Sequence, residues 1–182
     1  MRKKEAMRLA IRDAVAADVP AMLEIYAPFV QKTAVSFEYE VPSEEEFRQR
    51  LQEHQKLLPW LVYEQDGRVL GYAYAGLPFE RAAYRWNAEV SCYLAPEARR
   101  RGIGRQLYAQ LEHILTALGY RRVYSVVTSA NAASLAFHQA LGFTEAARFL
   151  NVGFKLGRWY DVIWLEKLLP QAEDPKKFPK AY

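Results

Sequence analysis

The spacing of apolar and polar positions changes period several times along this 182-residue chain, and each change marks an element. Residues 9–12 form a short extended run. Ala17-Asp18-Val19-Pro20 predicts a helix start, with Asp18 as N-cap and Pro20 in the first turn; Met22, Ile25, Tyr26 and Phe29 follow at helical spacing. After an irregular stretch over 33–39, Ser43 and Glu46 are spaced as a capping box for a second helix whose apolar side continues through Phe47 and Leu51. Two strand-like runs, 60–64 and 69–74, flank Asp66-Gly67, a hairpin signal. A loop then extends from Gly76 to about Trp86. A strand is predicted over 89–94. Leu107, Leu111, Ile114, Leu115 and Leu118 give the next helix, 105–118, a core-facing stripe that stops at Gly119. Residues 123–127 read as a buried strand, 131–141 as a helix closed by Gly142, and 143–154 and 159–168 as two last strands.

The order of elements predicts an α/β fold with a mixed sheet. Its first strands form an antiparallel meander, a β–turn–α–β unit over 89–128 supplies one parallel pair, and helices cover both faces. A single domain is expected over 8–169, with a flexible leader over 1–7 and a flexible tail over 170–182.

Composition narrows the classes. Half of the residues are hydrophobic, enough for a real core. The net charge of +4 comes partly from Arg2-Lys3-Lys4, Arg99-Arg100-Arg101 and Lys176-Lys177, yet the aromatics are not interleaved with these clusters as a nucleic-acid stacking platform requires. One cysteine, Cys92, excludes an internal disulfide, and three scattered histidines argue against a zinc site, so no metal is expected. No apolar run approaches the ~20 residues of a membrane span, and the basic N-terminus is not followed by an apolar stretch. A cytoplasmic protein without nucleic-acid or membrane partners is expected.

The segment Ala98-Arg99-Arg100-Arg101-Gly102-Ile103-Gly104-Arg105 lies between a strand and a helix. Glycines let backbone approach a ligand, a helix start offers free N–H groups, and arginines add charge: this is a place to hold a diphosphate.

With this turn after the fourth main strand, the chain resembles the GNAT superfamily of N-acetyltransferases. The segment 131–143 is similar to that superfamily's last helix and following strand. Residues 153–162, Gly-Phe-Lys-Leu-Gly-Arg-Trp-Tyr-Asp-Val, together with Tyr84-x-Trp86-x-x-Glu89, resemble its phosphinothricin and methionine sulfoximine acetyltransferase branch. The resemblance covers about residues 8–168. It implies an acyl-CoA N-acyltransferase fold with a mostly antiparallel sheet and a splayed parallel pair, acetyl-CoA as cosubstrate, a small amino acid or analogue acetylated on its α-amino group, and a homodimer.

Roles follow from the resemblance. Position alone reads Glu89 as a solvated strand-end glutamate or an arginine partner; the resemblance makes it the base. His138 falls where many members carry an acid for the leaving thiolate, and Tyr108, one turn into the cofactor helix, is the other candidate. The turn residues Arg99, Arg100, Arg101, Gly102, Ile103, Gly104 and Arg105, with Asn131, would grip the cosubstrate. Backbone groups of Cys92, Tyr93 and Leu94 would bind the pantetheine arm like an added strand. An apolar strand raises a thiol pKa, so Cys92 reads as core rather than nucleophile and direct transfer is expected. Arg81, or secondarily Arg85, would hold a substrate carboxylate, with Tyr84 close by and Phe37 and Trp86 as walls. Phe149, Phe154, Trp159, Tyr160 and Trp164 are assigned to a dimer interface and active-site floor, or to ordinary core. Three rivals stand beside this reading: a protein or peptide acceptor, a CoA-binding regulator without catalysis, and a nucleic-acid module resting on charge alone.

Overall fold

In the computed structural model, which describes residues 9–170 and 178–182, seven strands form one sheet. They are β1 (Leu9–Asp13), β2 (Trp60–Gln65), β3 (Arg68–Gly76), β4 (Asn87–Leu94), β5 (Arg122–Thr128), β6 (Thr144–Lys155) and β7 (Arg158–Leu168), in the order β1-β2-β3-β4-β5-β7-β6. Four helices accompany them: α1 (Val19–Lys32), α2 (Glu44–Gln55), α3 (Ile103–Leu118) and α4 (Ala132–Ala140). The leader expected over 1–7 and the 171–177 part of the expected tail lie outside the described residues.

Local chemistry sets most of the boundaries. Asp66 and Gly67 join β2 to β3 with φ of 51° and 78°, the paired positive values of a tight hairpin turn. The Ser43 hydroxyl accepts from the Glu46 amide (3.2 Å), and the Glu46 carboxylate accepts from the Ser43 amide (2.7 Å), so the expected capping box starts α2. Gly119 closes α3 in the left-handed region, at φ 97°. Asp18 behaves differently from the simple cap expected of it. It precedes α1, but its carboxylate accepts from the Val15 amide (2.8 Å) and binds the Arg12 guanidinium twice (2.7 and 2.9 Å). Because Arg12 also binds Glu64, edge strand β1 is tied to both β2 and the entry of α1.

The two faces of the sheet have different covers. On one, α1 and α2 meet an aromatic layer in which Tyr26 packs on Tyr93, and Phe47 on Trp60 and Tyr72. On the other, α3 buries Leu107, Leu111 and Leu115 completely. All ladders are antiparallel except β4–β5, whose parallel pairing is confined to Asn87–Arg122, Ala88–Val123 and Glu89–Tyr124. Beyond Glu89 the two strands part. β4 continues along β3 as far as Leu94, while β5 runs with β7 to Thr128.

A second tie connects the α1–α2 loop to the far end of the sheet. The Lys155 ammonium, 3% exposed, donates to the carbonyls of Val30 (2.6 Å) and Ser36 (2.5 Å). The Phe37 ring lies on Gly153 so closely that a Cβ there would fall 2.0 Å from it, and the Tyr39 hydroxyl donates to the Phe154 carbonyl. At the carboxyl end, Lys180 and Tyr182 donate backbone N–H groups to Leu118 (3.0 Å) and Leu57 (3.1 Å).

The capping box generates a stability prediction. Ser43→Ala should lower the unfolding free energy by about 1 kcal/mol in urea titration with an unchanged slope; an unaltered midpoint would show that other contacts start α2.

Candidate active site

Glu89, Tyr108 and His138 lie near the point where β4 leaves β5, whereas Phe37 lies on Gly153 and Arg85 and Trp86 pack on Phe178. Glu89 is the last β4 residue paired with β5. Its burial raises the carboxyl pKa above the ordinary range. Gly76 pairs with Glu89 and Tyr74 with Ser91, which puts Tyr74 on the Glu89 face of the sheet, beside it.

Tyr108 and His138 lie under the opposite face as a hydrogen-bonded pair. The Tyr108 hydroxyl is 2.9 Å from His138 Nε2 and 3.5 Å from the carbonyl of Val90, the first β4 residue beyond the pairing. His138 Nδ1 is 2.8 Å from the Ser134 carbonyl. A carbonyl only accepts, so Nδ1 carries the ring proton, Nε2 presents its lone pair, and Tyr108 donates to it. Burial lowers the His138 pKa, partly opposed by the Ser134 carbonyl, and keeps the ring neutral. Burial also holds Tyr108 well above the usual phenol value. Sequence reading named both residues but not their contact.

The glycine turn has the form that a phosphate needs. Arg100 and Gly102 have φ of 60° and 78°, Gly102 has open space around its α-carbon, and no side chain caps the start of α3. Ile103 and Gly104 are buried behind the turn, so they offer backbone only; a Cβ on Gly104 would come within 3.2 Å of Phe137. Arg99 lies over the Phe29 ring at 5.4 Å, Arg101 donates to the Gln65 side chain (2.7 Å), and Arg105 contacts the Ala140 carbonyl (3.5 Å). Asn131 caps α4 by accepting from the Ser134 amide (3.1 Å). Tyr93 packs against Phe29 and Tyr26, and Leu94 against the core. Cys92 is also packed against the core, and burial pushes its thiol up to about 12. These residues fit acetyl-CoA: an uncapped helix start and glycine turn for the pyrophosphate, and an unpaired strand edge leading from it to Glu89.

The loop between β3 and β4 divides in two. Phe79 stacks on Trp164 (5.7 Å) and meets Tyr84 (4.7 Å), while Phe178 takes the Trp86 ring (5.0 Å) and the Arg85 guanidinium (5.4 Å). Arg81 is exposed just before the single helical turn Ala82–Tyr84.

Sequence reading missed a cavity of about 120 Å³ on the Glu89 face, lined by Tyr26, Glu38, Phe47, Arg50, His54, Trp60, Tyr72 and Tyr74. Within it the Glu38 carboxylate binds Arg50 (2.6 Å) and accepts from the Tyr26 hydroxyl (3.1 Å). Only Glu38's place next to Phe37 offered a signal.

Residues 11–164 match the acetyltransferase (GNAT) domain. The chain is 41% identical over 154 residues to the phosphinothricin N-acetyltransferase of Alcaligenes faecalis, covering 84% of this chain and 78% of that one. It is 34% identical over 169 residues to the L-methionine sulfoximine/L-methionine sulfone acetyltransferase of Salmonella typhimurium, covering 92% and 98%. A solved GNAT phosphinothricin acetyltransferase from Sinorhizobium meliloti, in complex with acetyl-CoA, superposes with a TM-score of 0.86 at 38% identity, over 96% of this chain and 95% of that one. The chain belongs to the GNAT family and is an N-acetyltransferase that uses acetyl-CoA.

Proposed function

We propose that the chain acetylates the α-amino group of a small amino acid or analogue, of the phosphinothricin, methionine sulfoximine or methionine sulfone type, by direct transfer in a ternary complex. The observation that carries this reading is the position of Glu89, a half-buried carboxylate at the point where the β4 edge becomes free. The relatives named for such acceptors support the substrate class.

Acetyl-CoA supplies an activated acyl group when bound. Arg99, Arg100, Gly102, Gly104 and Arg105 would hold its phosphates, with the free edge of Val90 to Leu94 along the arm. Glu89, its pKa raised by burial, takes the proton of the incoming ammonium, directly or through a water. Tyr108 keeps its own proton because burial disfavours the phenolate. It therefore serves as a hydrogen-bond donor to the departing sulfur, and neutral His138 aims and holds it. Cys92, with its thiol pKa raised, is a poor nucleophile, which favours a single transfer over a two-step one. Arg81 and Tyr84 remain the loop's candidates for the acceptor carboxylate, since Arg85 and Trp86 pack on Phe178.

We also propose that two copies associate through the β6–β7 hairpin. Phe149, Leu150, Val152, Phe154, Leu156 and Trp159 are 46–68% exposed on it, and β6 is an edge strand. A run of exposed apolar side chains of this kind on an edge hairpin supports a partner there.

Thiol release from acetyl-CoA should proceed with phosphinothricin, methionine sulfoximine or methionine sulfone and be far slower with peptides, with intersecting initial-rate lines; turnover restricted to peptides would overturn the acceptor, and parallel lines the direct transfer. Glu89→Gln should cut kcat by ~10²-fold or more without weakening acetyl-CoA binding. Because Glu89 acts deprotonated and its pKa is raised, the wild-type kcat/KM should fall as pH drops through a point above the ordinary carboxylate range, a limb absent from Glu89→Gln. Tyr108→Phe should lower kcat by about 10²-fold while keeping that limb; full activity in either variant removes that residue from the chemistry. In sedimentation the wild type should run as a dimer and Trp159→Asp as a folded monomer; a monomeric wild type would refute the hairpin contact.

A further inference from the structure

The cavity between α2 and the sheet has a function that the transfer chemistry does not use. It is smaller than the roughly 300 Å³ at which pockets for whole ligands begin, so it suits one end of a ligand. Tyr74 forms one wall. It pairs with Ser91, two positions along the ladder from the Gly76–Glu89 pair and on the same face of the sheet, so this wall stands beside the carboxylate proposed as the base. Its charged lining is the Glu38–Arg50 pair, which is internally balanced. Trp60, 3% exposed, also lines it, and the indole N–H is buried without a partner among the described residues. A buried donor without an acceptor costs stability unless a ligand or water meets it. Glu38 does not swing freely: Tyr26 donates to it, Ser36 accepts from its amide (3.1 Å), and Lys155 anchors that loop through the Ser36 carbonyl.

We propose that this cavity receives the side-chain head of the acceptor and that Glu38, by neutralising Arg50, selects heads that are uncharged and accept hydrogen bonds, such as a sulfone or sulfoximine, over an anionic phosphinate. The inference rests on the amino acid acceptor proposed above. A neutral head accepts from the arginine and indole donors and leaves the ion pair intact. A phosphinate brings a second negative charge against Glu38, whose pair with Arg50 lies at the half-exposed mouth of the cavity, where solvent screens it only in part. Glu38 is thus a specificity-determining residue, placed apart from the groups that move protons.

The test compares kcat/KM for methionine sulfone and for phosphinothricin in wild type, Glu38→Gln and Arg50→Gln, with acetyl-CoA KM as the control for folding. Removing the carboxylate leaves Arg50 unbalanced, so Glu38→Gln should shift the ratio toward phosphinothricin by about tenfold or more. Arg50→Gln should shift it the other way, and neither should change the acetyl-CoA KM. A wild type that acetylates both acceptors, with a ratio that stays constant across the variants, overturns the subsite and spares the proposed function. A wild type that acetylates neither overturns the acceptor reading and this subsite with it.

Discussion

The separation of β4 from β5 after a three-residue parallel pairing is the constraint on which the site depends. Each strand stays fully committed on its other side, β4 to β3 through Leu94 and β5 to β7 through Thr128, so the sheet opens without unravelling. Small residues allow the opening to be packed. At Gly71 the Leu94 side chain occupies the space that a Cβ would take, 2.4 Å from it, and at Gly104 the Phe137 ring comes within 3.2 Å of one. Leu94 and Phe137 thereby fill the region between the end of β4 and the start of α3. The backbone groups freed beyond Glu89 lead from a helix start without a side-chain cap among the described residues to a half-buried carboxylate. One departure from sheet regularity thus supplies both the edge proposed for the pantetheine arm and the position of the proposed base.

Burial then assigns different roles to the titratable groups around the opening. Glu89 and Tyr108 are both pushed upward by desolvation, with opposite consequences. A raised carboxylate becomes a better base, whereas a raised phenol holds its proton and acts as a dipole. His138 is pushed down, and its tautomer is fixed by the Ser134 carbonyl one helical turn earlier. The proposed base and donor therefore lie on opposite faces of β4, Glu89 with Tyr74 on the α1–α2 side and Tyr108 beneath the Val90 carbonyl on the α3 side. The amine and the thioester would accordingly reach the gap from different faces.

What the sequence made legible was local. The Asp66-Gly67 turn, the Ser43–Glu46 box, the stripe of α3 and the glycine turn each rest on residues within a few positions of one another, and each forms in the structure. The splay and the placement of Glu89 were legible only through the resemblance, since nothing in the period of β4 announces that its pairing will stop. Contacts across long separations stayed hidden. Tyr108 and His138 are 30 residues apart, and Lys155 is 125 residues from Val30, so neither contact leaves a trace in spacing. Arg50 sits on the polar side of an amphipathic helix, where a guanidinium ordinarily reads as solvated. Asp18 was recognised as the start of a helix but not as the anchor of Arg12, because its partner lies upstream, in β1.

The Lys155 tie joins features that otherwise look separate. A buried ammonium is costly unless its donors are met, and here two carbonyls meet it, one from the last turns of α1, where the helix dipole favours a cation. Replacing it with a shorter polar residue would leave those carbonyls without their donor, and with a hydrophobe would leave them buried and dry. The clamp, the Phe37 ring on Gly153 and the Tyr39 hydroxyl on the Phe154 carbonyl all connect the loop that holds Glu38 to one strand, β6. The outer surface of that same strand carries the exposed Phe149, Leu150, Val152 and Phe154. The loop that carries Glu38 is thus held by the same hairpin whose exposed apolar edge is the proposed dimer contact.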